Sequence, residues 1–172
     1  DGAGAVVLTQ TKDENKGILS SHLYSQGKYA EELSLIGPNT GRWVPEIMEL
    51  NDPEDISYYP YMNGQFVFKN AVVRFAEVIQ EGLEKTGWTA DQINLLVPHQ
   101  ANLRIAQFVQ KKFRLGDDQV YNNIQRYGNT TAASIPIALT EAWEEGKVKE
   151  GSKVVLAAFG SGFTWGSVMI QW

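Results

Sequence analysis

Leu95-Leu96-Val97-Pro98-His99-Gln100-Ala101-Asn102 is the stretch that decides how this sequence reads. An apolar run delivers a histidine to a strand end, and a helix begins just beyond it. Thirty residues after His99, Arg126-Tyr127-Gly128-Asn129-Thr130-Thr131-Ala132-Ala133-Ser134 delivers an asparagine to a second strand-to-helix junction. Loops at successive strand ends of an α/β unit converge above the sheet, so polar side chains placed there build sites. The chain reads as part of an enzyme.

Working outward, Phe68, Val72, Phe75, Ile79 and Leu83 recur at spacings of three and four and predict one apolar helical stripe. Gly87 stops that helix, and Thr89 with Gln92 predicts a capping box. Ile93–Val97 follows as a buried strand and Ala101–Phe113 as a helix. Val120–Ile124 is expected as a strand, and Thr131–Glu145 as a helix with Pro136 in its first turns. Val154–Phe159 and Ser167–Trp172 read as the closing strands. Upstream, Asp1–Thr9 and Ile18–Gln26 read as strands separated by a turn at Lys12–Gly17, with His22 partly exposed on the second. Leu33 to Pro60 holds four prolines without a clean period, longer than an ordinary connection. The order β-α-β-α-β-α-β-β gives the α/β class, with a mostly parallel sheet ending in an antiparallel strand.

Composition narrows the function. Fifteen Lys and Arg against 20 Asp and Glu leave a net charge of −5, which argues against non-specific nucleic-acid binding. No apolar run approaches a membrane span, so a soluble, cytoplasmic protein is expected. Cysteine is absent among the 172 residues, so this chain has no thiol nucleophile of its own. Two histidines, His22 and His99, do not suggest a metal cluster. The loop Phe159-Gly160-Ser161-Gly162-Phe163-Thr164-Trp165-Gly166 leads into a strand rather than opening a helix, so it is not a dinucleotide fingerprint.

Together, His99 in Val97-Pro98-His99-Gln100-Ala101-Asn102, Asn129 in Gly128-Asn129-Thr130-Thr131-Ala132-Ala133-Ser134 and the closing Gly162-Phe163-Thr164-Trp165-Gly166 resemble the β-ketoacyl-acyl-carrier-protein synthase III family of the thiolase superfamily. The resemblance covers essentially the whole chain and is strongest from Met62 onward. It implies a duplicated fold of two βαβαβαββ halves, each a five-stranded mixed sheet with helices. Residues 1–10 would then be the last strand of the first half, and residues 18–172 the second half. The family's nucleophilic cysteine lies in the first half, so the resemblance implies a fragment that is inactive alone.

It also implies the chemistry. An acyl group passes from coenzyme A (acetyl-coenzyme A as primer) to cysteine and is condensed with decarboxylated malonyl-carrier protein, initiating fatty-acid synthesis. His99 and Asn129 would donate hydrogen bonds to the enolate oxygen, as developing negative charge requires. The backbone N–H of Ser161 would join the oxyanion hole, with serine standing where many relatives have glycine. Asn63, Gly64 and Asn102 would line the substrate channel, with Phe159 and Phe163 shaping it, and Gln65 departs from the family pattern. Arg104, Lys111 and Lys112 share a face of the Ala101–Phe113 helix, opposite Ala106, Val109 and Phe113, and would dock an acidic acyl carrier protein. No cofactor or metal, and a homodimer in the intact enzyme, are expected. The alternatives are a sister condensing enzyme of long-chain, quinolone or polyketide type, or a non-catalytic module that binds carrier protein.

Overall fold

The computed structural model describes residues 1–35 and 59–172. Its strands are β1 (Gly17–Ser25), β2 (Leu33–Ser34), β3 (Tyr61–Met62), β4 (Leu95–Pro98), β5 (Lys153–Gly160) and β6 (Thr164–Gln171). Its α-helices are α1 (Gly64–Thr86), α2 (Leu103–Phe113), the single turn α3 (Ile124–Tyr127) and α4 (Ser134–Glu144). One mixed sheet has the order β1-β6-β5-β4, with β4 and β5 parallel and β6 antiparallel to both neighbours. In β1 the register shifts between Ile18 and Ser20, and the extra residue, Leu19, packs against the main core. β2 and β3 form a separate antiparallel pair.

Alternation along the strands sorts side chains into two cores. Leu96, Val155, Ala157, Phe159 and Met169 face α1 and α2, while Leu95, Val97 and Val154 face α4. β4 is apolar throughout, and all four of its residues are buried. Such burial contributes about 1.5–3 kcal/mol per large side chain.

α1 is set by its sequence at both ends and along one face. Asn63 Oδ1 accepts from Phe66 N–H at 3.3 Å, and Val67, Ala71, Phe75, Ile79 and Leu83 turn toward the sheet. Gly87 ends the helix in the left-handed region at φ 68°, where a side chain would be strained, and its N–H closes on the Leu83 and Glu84 carbonyls. At Thr89–Gln92 the Gln92 side chain reaches back as expected, its Oε1 accepting from Thr89 N–H at 3.2 Å.

Several expectations need correction. Asp1–Thr9 forms no strand; Val6, Val7 and Leu8 are exposed, with no ladder partner among the described residues. A strand needs a neighbour to pair its backbone, and apolar residues alone do not supply one. Val120–Ile124 is also not a strand. Among the described residues, Val120 alone bridges to Leu96, so the fifth place in the sheet is a single contact and the sheet has four strands. The chain leaves the ladder there because Asn123 N–H and Ile124 N–H bond to the Gln100 side chain instead, and Ile124 opens α3. The expected Ala101 and Thr131 helices begin later, at Leu103 and Ser134. Asn102 caps α2, and a 3-10 turn at Thr131–Ala133 precedes α4. Most of Leu33–Pro60 lies outside the described residues.

Candidate active site

β4 carries His99 to the edge of an open cavity of about 1180 Å³. The ladder continues one residue past the strand, because His99 N–H donates to Ala157 O at 2.8 Å. Its ring is half-buried, and that burial pushes the imidazole below its ordinary pKa, favouring the neutral form. Nδ1 lies 2.6 Å from Ser134 Oγ, the first residue of α4.

Gln100, next in sequence, faces inward and is 3% exposed. Its amide NH2 donates to Pro98 O at 2.8 Å and Tyr121 O at 3.2 Å. Its Oε1 accepts from Asn123 N–H at 3.0 Å and Ile124 N–H at 3.1 Å. Both donors and both lone pairs are thus occupied by backbone of two segments. One buried side chain ties the His99 junction to the loop that leads to Asn129.

That loop has a second anchor. Glu141 on α4 accepts from Asn123 Nδ2 at 2.7 Å, from Arg126 Nη2 at 2.6 Å and from the Tyr127 hydroxyl. Burial alone would raise its pKa, but these bonds and the Arg126 charge outweigh burial and lower it. Tyr121 donates to Glu145 at 2.7 Å, and burial with that carboxylate pushes its phenol up to about 12.

Beyond α3, Gly128 at φ 67° turns the chain, and Asn129 reaches the same cavity as His99. Asn129 Oδ1 accepts from Thr131 N–H at 2.8 Å. A backbone N–H can only donate, so the carboxamide oxygen must face Thr131, and the NH2 group has no partner among the described residues. Thr131 itself sits at φ 52°, a left-handed backbone costing a non-glycine residue about 1–2 kcal/mol. Strain of this kind collects where geometry serves a site.

The other expected site residues divide. Gly64, Asn102, Phe159 and Ser161 line the cavity with His99 and Asn129. Asn63 and Phe163 do not. Asn63 caps α1, while Phe163 is 1% exposed and packs in the core against Phe159 at 4.9 Å between ring centroids. Asn102 spends its oxygen on Arg104 N–H at 2.9 Å, capping α2. Ser161 Oγ donates to Leu33 O at 2.6 Å, while its own N–H has no partner among the described residues. Positive φ at non-glycine residues occurs, among the described residues, at Arg114 and Thr131, so Ser161 sits in backbone that does not require glycine. Arg104, Lys111 and Lys112 are exposed on α2, lie outside the cavity and pair with no carboxylate among the described residues. Between them stands Phe108, 44% exposed, which sequence reading missed although its spacing puts it on the basic face. Gln100 and Ser134 were likewise quoted without a role, since neither spacing nor composition reveals which distant backbone a buried amide will meet.

Comparison with known proteins places the chain. The family model described as 3-oxoacyl-[acyl-carrier-protein (ACP)] synthase III C terminal matches residues 83–172. The chain belongs to the 3-oxoacyl-[acyl-carrier-protein] synthase III family. It is 41% identical over 172 residues to the β-ketoacyl-[acyl-carrier-protein] synthase III of Chlorobaculum tepidum, covering 100% of this chain and 51% of that protein. Against the Salmonella arizonae synthase III, identity is 44% over 171 residues, covering 99% of this chain and 50% of the relative. The crystal structure of the Aquifex aeolicus synthase III superposes with a TM-score of 0.81 at 38% identity, covering 95% of this chain and 47% of that one. The chain thus spans about half the length of the synthase III proteins it matches. These neighbours bear out the thiolase-like α/β fold implied by the sequence motifs.

Proposed function

We propose that this chain supplies the histidine and asparagine of a decarboxylative condensing site, and that the protein containing it joins an acyl-coenzyme A primer to malonyl-acyl carrier protein to begin fatty-acid synthesis. The observation that carries the reading is the meeting of His99 and Asn129 at one cavity, with the free carboxamide NH2 of Asn129 available to donate. The thiol comes from outside these 172 residues, which contain no cysteine.

Cysteine thiolate attacks the acyl-coenzyme A carbonyl, forming a new C–S bond as the old one breaks and coenzyme A leaves as a thiolate that takes a proton from solvent. The Ser161 N–H helps hold that oxyanion. In the malonyl thioester the bond to the carboxylate breaks, carbon dioxide leaves, and the electron pair forms an enolate. His99 and Asn129 donate to its oxygen, where the charge develops. The enolate carbon then attacks the acyl-cysteine carbonyl, a C–C bond forms, and thiolate is regenerated. Gly64, Asn102 and Phe159 shape the approach from the cavity wall. No metal or cofactor is required by these steps.

The acyl carrier protein docks on the exposed face of α2. Arg104, Lys111 and Lys112 attract an acidic partner, and Phe108 adds an apolar contact. The full protein works as a homodimer in the cytoplasm. Among the described residues, no helix is long and apolar enough to cross a membrane.

The test uses full-length protein and follows two half-reactions. His99→Ala or Asn129→Ala should lower carbon dioxide release from malonyl-carrier protein by about 10²–10³-fold. Acylation by labelled acetyl-coenzyme A should survive better, and Arg104→Glu with Lys111→Glu should weaken only the carrier-dependent step, most at low salt. Near-normal decarboxylation in both alanine variants overturns the assignment, and absence of all turnover in wild-type protein favours a carrier-binding module.

A further inference from the structure

We propose that Ser134 is a positioning residue that fixes His99 as the tautomer bearing its proton on Nε2. The inference deepens the site described above, and its kinetic arm rests on the proposed function.

The argument is one of hydrogen-bond accounting. Ser134 is 2% exposed, so its hydroxyl must find its partners within the protein. The hydroxyl has one proton and two lone pairs. Gln100 N–H points at Oγ from 3.3 Å and occupies a lone pair. The proton then needs an acceptor, and among the described residues His99 Nδ1, at 2.6 Å, is the one within reach. Donation from Ser134 to Nδ1 requires that nitrogen to be bare. A neutral imidazole with a bare Nδ1 carries its proton on Nε2, the nitrogen left to act as a donor at the cavity. The opposite tautomer would point Nδ1–H at Oγ, leave the buried hydroxyl proton unpaired, and turn Nε2 into an acceptor that repels an enolate oxygen.

The placement also couples the two halves of the site. Ser134 opens α4 five residues after Asn129, and its Oγ reaches back to the residue pair His99–Gln100. The segment that presents one enolate donor therefore sets the proton position of the other.

The experiment compares wild type, Ser134→Ala and His99→Ala in the full-length protein. With 15N-labelled histidine, signals lost in His99→Ala identify the His99 ring. At neutral pH, wild type should show an unprotonated Nδ1 accepting a hydrogen bond and a protonated Nε2. In Ser134→Ala the two nitrogens should move toward averaged values. Carbon dioxide release should fall about 10-fold, chiefly in kcat, with cysteine acylation retained as the control for folding. Wild type with its proton on Nδ1, or a His99 spectrum unmoved by Ser134→Ala, overturns the proposal. So does unchanged carbon dioxide release in Ser134→Ala while His99→Ala cripples it. If the tautomer responds to Ser134→Ala but His99→Ala leaves decarboxylation intact, the tautomer assignment stands and the enolate role of His99 fails.

Discussion

His99 and Asn129 open onto the same cavity, yet the segments that carry them are built by different means. His99 rides on a buried strand end, its backbone in the ladder and its ring against α4. Asn129 sits exposed on a loop and is oriented by a bond to a residue two positions on. Long-range packing fixes the first, and local backbone geometry fixes the second. Tertiary support makes His99 sensitive to distant substitutions, whereas Asn129 depends on keeping its own turn. Gln100 crosses between them, so the comparison can be broken from either side.

The largest effect is expected from Asn129→Asp. The carboxylate still accepts from Thr131 N–H, so the turn survives, but the donors are replaced by a negative oxygen that would repel the enolate of the proposed reaction. Decarboxylation should fall further than the 10²–10³-fold expected of Asn129→Ala, with thermal unfolding little changed. If the aspartate variant retains more activity than the alanine variant, the NH2 group is not the acting end.

Gln100→Leu comes next. It keeps the volume roughly but strands two carbonyls and two N–H groups inside the protein. At about 1–3 kcal/mol for a buried unsatisfied group, a loss of at least about 3 kcal/mol should appear in urea unfolding. His99 and Asn129 should become misplaced together. Loss of stability below about 1 kcal/mol would show that the two segments hold their relation without this amide.

The smallest effect is in pH. Burial lowers the folded pKa of His99 below the unfolded value of about 6.5. Its contribution is therefore fully present above that unfolded value and is lost as pH falls toward the folded pKa. Wild type should lose more stability than His99→Gln between about pH 7.5 and about pH 5.5, while Asn129→Ala should follow wild type. Parallel curves for wild type and His99→Gln would remove the burial argument.

The sequence made the local parts of this comparison legible. The α1 stripe, the stop at Gly87 and the Thr89–Gln92 pair depend on near neighbours, so spacing exposes them, whereas the motifs of His99 and Asn129 show the two residues but not what holds His99 in place. What it hid depends on distance. Val120 to Ile124 has the composition of a strand, yet a side chain from Gln100 takes the N–H groups a ladder would use. The pairing of Leu33–Ser34 with Tyr61–Met62 joins two residues to two across a long interval and leaves no period. Phe163 sits in a motif that suggests a channel, but hairpin geometry turns it into the core. Val6, Val7 and Leu8 show the same limit, since an apolar run cannot announce whether a partner strand exists.

The register shift in β1 has a consequence for solubility. Among the described residues β1 is an outer strand of the sheet, and a straight, fully pleated edge of nine residues would be a template on which another chain could add. The extra residue at Leu19 interrupts the regular alternation of bonding groups near the start of that edge and increases its twist. A foreign strand would find only the stretch from Ser20 to Ser25 in continuous register. The same irregularity that buries Leu19 therefore shortens the surface available for edge-to-edge aggregation.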